Sequence, residues 1–182
     1  MDEHLDSFCD EELAKMAQQG NRAAFEVLCN RHMPTMYSRL CALLPIEAVD
    51  DVTQEVFIAA LRGLSRYRAR ALFRTWLAAI ARHKVADYYR HANRSPSTVP
   101  LEEGYKLRAD GWEEKVAVRI ALRKLPVNYQ EVLVLRFAEG LPFKRIAIVL
   151  EISLEATKSR YRRAVSALSQ EMETGPAQPS DE

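Results

Sequence analysis

The chain has 182 residues, of which 48% are hydrophobic and 28% charged, and its formal net charge is +1. That balance is ordinary for a folded protein, and no run of about 18 apolar residues is present to cross a bilayer. The opening MDEHLDSFCDEEL is acidic and lacks an apolar core, so neither a secretory signal nor a transit peptide is expected, and the cytosol is the expected compartment. The small net charge conceals segregation. Residues 1–55 carry eleven acids and four bases, residues 62–94 carry nine bases and only Asp87 as an acid, and residues 144–163 carry six bases against Glu151 and Glu155. Blocks of this kind matter for phosphate-bearing partners, because contact depends on where Lys and Arg lie.

In chain order, the spacing of apolar residues predicts helices almost throughout. Asp10 is a candidate cap for a first helix through ELAKMAQQG, with Gly20 as its stop. A second helix is expected from about Arg22 to Leu44, with a kink at Pro34 and an end at Pro45. Three cysteines, Cys9, Cys29 and Cys41, follow no disulfide spacing. Cys29, His32 and Cys41 could gather zinc, but Cys29 shares a stripe with Phe25, Met33, Met36 and Leu40, which favours a buried structural thiol. A third helix is expected from about Ala48 to Leu64, burying Val52, Val56, Ala59, Ala60 and Leu64. After the basic loop SRYRARA comes a fourth, FRTWLAAIARHKVADYYRHA, with Phe73, Leu77, Ile80, Ala81 and Tyr88 as its buried stripe. Residues 93–112 hold two prolines, two glycines and several Ser and Thr, and read as a linker. Helices are then expected at about 113–124, 127–138, 142–150 and 154–171, before the polar, disordered tail TGPAQPSDE. Strand-like alternation is absent. The fold expected is all-α: two small helical domains, 1–92 and 113–172, joined by a flexible linker, with a tail from 173 to 182.

The stretch LPFKRIAIVLEISLEATKSRYRRAVSAL has the pattern of a helix-turn-helix. Phe143, Ile146, Ala147 and Leu150 line a short helix, Glu151-Ile152-Ser153 make the turn, and Ser153 is a plausible N-cap for a longer helix with Glu155 in its first turn. At about 100° per residue, Leu154, Thr157, Tyr161, Ala164, Val165 and Leu168 face inward. Glu155, Ser159, Arg162, Arg163 and Ser166 face outward, with Lys158 and Arg160 on the flanks. No acid occurs from Thr157 to Ser169, whereas a merely solvated face mixes signs. Such a helix fits the major groove, where Arg can bridge guanine O6 and N7.

The stretch SRYRARALFRTWLAAIARHKVADYYR interleaves bases with Tyr67, Phe73, Trp76, Tyr88 and Tyr89. Aromatic rings in a basic groove are what opened, single-stranded nucleic acid requires. Phe73 shares its stripe with Leu77 and Ile80 and is expected in the core. Tyr67, in the loop, is expected to be exposed. No phosphate loop, HExxH or GxSxG motif occurs, and no catalytic constellation, metal or cofactor is expected.

These stretches in this order, DDVTQEVFIAALRGLSRYR, FRTWLAAIARHKVADYYR, LRKLPVNYQEVLVLRFAEGLPFKRIAIVL and TKSRYRRA, resemble the extracytoplasmic-function (ECF) sigma factors of bacterial RNA polymerase over about residues 10–171. The resemblance implies that Asp50, Asp51, Gln54, Glu55 and Phe57 grip the β′ clamp helices of core polymerase, with the β flap as a further contact. It implies that the loop Ser65–Leu72 and the helix after it recognise and melt the −10 element through Arg66, Tyr67, Arg68, Arg70, Arg74, Trp76, Arg82, His83, Lys84, Asp87, Tyr88 and Arg90. Lys144, Arg145, Thr157, Lys158, Ser159, Arg160, Arg162 and Arg163 would contact the −35 element of promoter DNA. The linker would thread near the RNA exit path. Catalysis would belong to the polymerase alone. Such factors are usually held inactive by an anti-sigma factor, often membrane-anchored, although nothing in this chain is expected to insert into a membrane.

Four features depart from the family pattern. His83 stands where Asn is common, which bears on the −10 base preferred. Arg70 makes the loop unusually basic. Glu151 occupies a turn position where Gly is frequent, at a strain of roughly 1 kcal/mol if the backbone there is left-handed. Glu155-Ala156-Thr157 replaces a common Gly-Thr-Val, and Lys144-Arg145 replace a common acid. The alternative from another class is a stand-alone helix-turn-helix regulator with an N-terminal sensing or dimerisation domain, which has no need of a DDxxQE surface beside a basic aromatic loop. A helical enzyme acting on nucleic acid would need an acid/base or metal cluster, and Asp87 is the only carboxylate in that groove.

Overall fold

A computed structural model of the chain describes residues 5–92 and 112–173. The expected linker and tail lie outside the described residues. Two compact units divide the chain, and among the described residues all regular structure is helical.

The first unit holds α1 (Asp10–Gln18), α2 (Arg22–Leu43), α3 (Ile46–Gly63) and α4 (Phe73–Ala92). A 3₁₀ turn, Leu5–Ser7, precedes α1 and another, Leu64–Arg66, follows α3. The cap of α1 is Cys9 rather than Asp10: Cys9 is extended, and its N–H donates to Glu12 Oε2 at 2.9 Å. That bond holds the Glu12 carboxyl below the usual carboxylate range. Asp10 instead turns its carboxylate toward α2, to Arg31 Nη1 and His32 Nε2, each at 2.7 Å. A guanidinium is a stronger partner for a carboxylate than a backbone N–H. Gly20 supplies the stop at φ +95°, open to glycine and strained for other residues. Asn21 then caps α2, its Oδ1 accepting from the Ala24 N–H at 3.1 Å, and α2 continues through Pro34.

α2 packs on α1, α3 and α4, and α3 packs on α4. Their shared core contains Leu13, Leu28, Leu40, Val49, Val56, Ala60, Phe73, Leu77, Ala81 and Val85. Ile80 and Tyr88 are only half-buried. Ile80 lies at the edge of the 73–77–81–85 stripe, and Tyr88 lies toward the helix end, where Tyr89 donates its hydroxyl to the Leu43 carbonyl at 2.6 Å. Cys29 is half-buried. Burial, reinforced by Glu26, pushes its thiol up to about 11. Among the described residues no three His, Cys, Asp or Glu side chains come together as a metal site. His32 pairs with Asp10 and lies 5.4 Å from the Phe73 ring.

The second unit holds α5 (Trp112–Lys124), α6 (Val127–Leu133), α7 (Phe143–Leu150) as far as Ala147, and α8 (Leu154–Glu173). α8 packs against α5 and α6, around Ala121, Leu125, Val132, Leu135, Ile146 and Ala164. The expected helix 127–138 is α-helical only to Leu133. Val134–Ala138 is a π turn, with Glu139 N–H donating to the Val134 carbonyl at 3.2 Å and Leu141 N–H to the Leu135 carbonyl at 3.0 Å. The wider turn follows the buried run Val132–Leu135 and leaves Phe137 66% exposed.

Candidate nucleic-acid interface

The turn between α7 and α8 is built as the sequence predicts. Glu151 is left-handed at φ +54°, a strain of about 1 kcal/mol for an L-residue. Ser153 caps α8, its Oγ accepting from the Ala156 N–H at 3.1 Å. Arg162, Arg163, Glu155 and Ser166 are exposed, while Ala164 is buried. Ser159, Lys158 and Arg160 are half-exposed. Arg163 donates to Ser159 Oγ at 3.2 Å, which lays its guanidinium along the outer face. Lys158 pairs with Glu155 at 2.8 Å, and that hydrogen bond holds the Glu155 carboxyl below the usual carboxylate range. Lys144 is exposed and Arg145 half-exposed at the start of α7.

Thr157 is a correction to the expected −35 contacts. It is 0% exposed, and its hydroxyl donates to the Ser153 carbonyl at 3.0 Å. A threonine satisfied by the preceding helical turn can be buried without any other polar partner, so Thr157 supports the outer face of α8 from inside. Beside it Tyr161 and Phe143, both expected to face inward, are half-buried and form an aromatic group with Phe137, which no sequence pattern singled out. Tyr161 meets Phe143 at 5.1 Å and Phe137 at 6.0 Å between ring centroids, and Arg136 lies 4.9 Å over the Phe143 ring.

In the first unit the basic loop is displayed as expected, with Arg66, Arg68 and Arg70 exposed, as is Arg74 in the first turn of α4. Tyr67 is not. It is 6% exposed, with its ring 5.7 Å from Phe73 and 5.1 Å from Trp76. Its hydroxyl donates to the Ala71 carbonyl at 2.8 Å. Burial, helped by Glu11, Asp10 and Cys9, pushes the phenol up to about 12. Tyr67 is therefore a pillar of the loop rather than a free stacking platform. Trp76 is half-buried, and a Cβ on Gly63 would come 3.3 Å from its ring. Along α4, His83 is exposed while Arg82, Tyr88 and Lys84 are half-exposed. Lys84 binds Glu55 at 2.9 Å, joining a predicted DNA contact to a predicted polymerase contact. Asp87 is paired with Arg90, so this carboxylate is already engaged.

On α3, Asp50, Asp51, Gln54 and Glu55 are exposed. Phe57 is 9% exposed and packs inward with Val56 and Ala60, so it seats this surface and does not belong to it. Ile58 and Leu61, 46% and 55% exposed, extend the outer face. Their signal was present in the sequence: 54, 58 and 61 share one side of a helix.

Two family models match the chain, Sigma-70 region 2 over residues 28–95 and Sigma-70, region 4 over residues 115–168. The chain is 34% identical over 162 residues to the ECF RNA polymerase sigma factor SigC of Mycobacterium tuberculosis, covering 86% of this chain and 87% of that one. It is 28% identical over 175 residues to the ECF RNA polymerase sigma-E factor of Escherichia coli, covering 87% and 92% of the two chains. Among solved structures, CnrH in complex with the cytosolic domain of CnrY matches with a TM-score of 0.73 and 30% identity, over 92% of this chain and 99% of that one. The sigma factor RpoE of Bartonella quintana, solved with the anti-sigma factor NepR, shares the fold with a TM-score of 0.69 at 18% identity, over 84% and 98% of the two chains.

Proposed function

The chain belongs to the ECF sigma factors of RNA polymerase, and on that premise we propose how its surfaces divide the work of promoter selection. The outer face of α8 reads the −35 duplex, with Arg162 and Arg163 at its centre, Ser159 between them and Lys144, Arg145, Lys158 and Arg160 on backbone phosphates. The loop after α3 and the exposed face of α4 take the opened −10 strand. Arg66, Arg68, Arg70 and Arg74 neutralise phosphate there, and Arg82, His83 and Lys84 lie along the base path. The face Asp51, Gln54, Glu55, Ile58 and Leu61 of α3 docks on core polymerase. The polymerase supplies the chemistry, and the factor supplies address and strand capture. Polymerase and promoter as partners place it in the cytoplasm, and among the described residues no helix is long and apolar enough to cross a membrane.

The observation that carries this reading is the α8 face. Exposed Arg162 and Arg163 stand on a helix whose opposite side is locked by buried Thr157 and Ala164 and whose start is capped by Ser153. A rigid helix with cations on one side is what groove reading needs. In run-off transcription with core polymerase and a randomised promoter library, the protein should select a two-part promoter. Selection of no such promoter would overturn the proposal. Asp51→Arg should abolish association with core polymerase while leaving the fold intact, and unchanged pull-down would remove α3 from the interface. An anti-sigma partner is also proposed, since CnrH was solved bound to the cytosolic domain of another protein.

A further inference from the structure

The loop from Leu64 to Leu72 has no regular structure beyond one 3₁₀ turn, yet four hydrogen bonds hold it. Gln18, the last residue of α1, donates its side-chain amide to two loop carbonyls, Leu64 at 2.8 Å and Tyr67 at 2.7 Å. The same Leu64 carbonyl accepts from the Tyr67 N–H at 3.0 Å. At the far end the Tyr67 hydroxyl holds the Ala71 carbonyl at 2.8 Å. Between these anchors Ala69 is left-handed at φ +54°. Strain of this kind in a residue with a Cβ persists only where its surroundings over-determine it. Arg66 and Arg68 flank the buried Tyr67, and both are exposed.

α1 is itself fixed to the body of the unit. Arg31 of α2 donates to Asp10 Oδ1 at 2.7 Å and to the carbonyls of Asp6 and Phe8 at 3.1 Å each. His32 takes the other oxygen of Asp10 and lies against Phe73, the ring that Tyr67 meets edge-on. The position of the Gln18 amide is therefore tied to the helix that follows the loop.

We propose that Gln18 is a positioning residue for recognition of the opened −10 strand: by bridging two loop carbonyls it fixes the loop shape in which Arg66, Arg68 and Arg70 point outward together. This rests on the reading of the loop as the −10 contact. Gln18 touches no DNA. Its effect is to remove loop conformations that would otherwise have to be frozen on binding, so its loss appears as weaker capture and weaker discrimination.

The test uses the full chain with core polymerase on a promoter that the wild-type protein opens. Gln18→Leu, which removes both donors, should reduce permanganate reactivity of −10 thymines about tenfold, as expected for two lost hydrogen bonds of ordinary strength partly replaced by water. It should also flatten the preference among the four bases at single −10 positions. Binding to a −35-only duplex should stay within about twofold, since that contact belongs to the other unit. Gln18→Glu, which presents a carboxylate to two carbonyls, should be at least as impaired, whereas Gln18→Lys, which keeps an N–H donor, should recover much of the opening. The proposal is overturned if Gln18→Leu opens promoters with unchanged base preference, or if Gln18→Lys behaves like Gln18→Leu, because a purely structural role would not discriminate by donor. If the wild-type protein opens no promoter at all, the reading beneath the proposal fails, and that result is distinct from either of these.

Discussion

Removing the two outward arginines of α8 gives the most discriminating test of the −35 assignment. Arg162 and Arg163 are both exposed, and adjacent helical positions point about 100° apart, so on the proposed −35 reading one of them would aim at base edges and the other would lean toward a phosphate strand. Arg163 is already oriented by its bond to Ser159 Oγ at 3.2 Å. A forked arginine–guanine contact is worth about 1–3 kcal/mol of discrimination. A phosphate contact contributes about 0.9 to the slope of log affinity against log salt. Arg162→Ala with Arg163→Ala should therefore weaken binding to a −35 duplex by about tenfold to several hundredfold and flatten the salt dependence by about one phosphate contact. Stability should change by less than about 0.5 kcal/mol, because neither side chain is in the core. The assay is fluorescence anisotropy of the polymerase-bound protein on a −35 duplex across a salt series, beside a scrambled duplex of equal length. The single variants separate the roles: the base-reading arginine lowers affinity only for the specific sequence, and the phosphate-contacting one lowers both. An unchanged dissociation constant and slope in the folded double variant would refute the assignment of this face.

Three further outcomes are expected. Ser153→Ala removes the oxygen that caps α8 and should lower the stability of the C-terminal unit by about 1 kcal/mol in thermal unfolding, with Ser153→Asp restoring it; no loss would mean that the cap is replaced by water. The unfolding free energy of the N-terminal unit should fall with alkaline pH. Cys29 and Tyr67 have folded-state pKa values raised to about 11 and about 12, so above pH 9 and then above pH 10 the unfolded chain binds fewer protons than the folded one; the Cys29→Ala and Tyr67→Phe backgrounds should each flatten their own part of the profile, and a flat wild-type profile between pH 9 and 12 would contradict both shifts. Glu55→Gln breaks an exposed ion pair with Lys84 worth at most about 1 kcal/mol, so it should leave the melting temperature nearly unchanged while reducing association with core polymerase in pull-downs; a large loss of stability with normal association would reverse that assignment.

Helical periodicity carried the sequence reading wherever it could be applied. The projection of α8 separated Arg162 and Arg163 from Ala164 correctly because every side chain on a helix is placed by the same 3.6-residue repeat. It also placed Thr157 inside. The family resemblance alone pointed Thr157 toward DNA, and its hydroxyl is instead satisfied within the helix by the Ser153 carbonyl. Tyr67 has no such repeat to place it. Its ring is buried against rings that belong to α4, and its carbonyl accepts from Gln18, 49 positions earlier; no local pattern encodes a partner at that distance. The cap of α1 failed for a similar reason: Asp10 has a better partner on another helix.

Phe57 shows which kind of inference should prevail when two conflict. A motif such as DDVTQEVF marks a stretch, but position 57 lies three residues before buried Ala60 and beside buried Val56, on the inner side of α3. Fully exposing a phenylalanine in water forfeits about 1.5–3 kcal/mol of burial, more than one rim contact with a partner returns. The stretch therefore divides by geometry. Asp51, Gln54 and Glu55 remain on the outer face, Phe57 anchors the helix that carries them, and Ile58 and Leu61, outside the core motif, would give the proposed docking surface the apolar area that acids and amides alone lack.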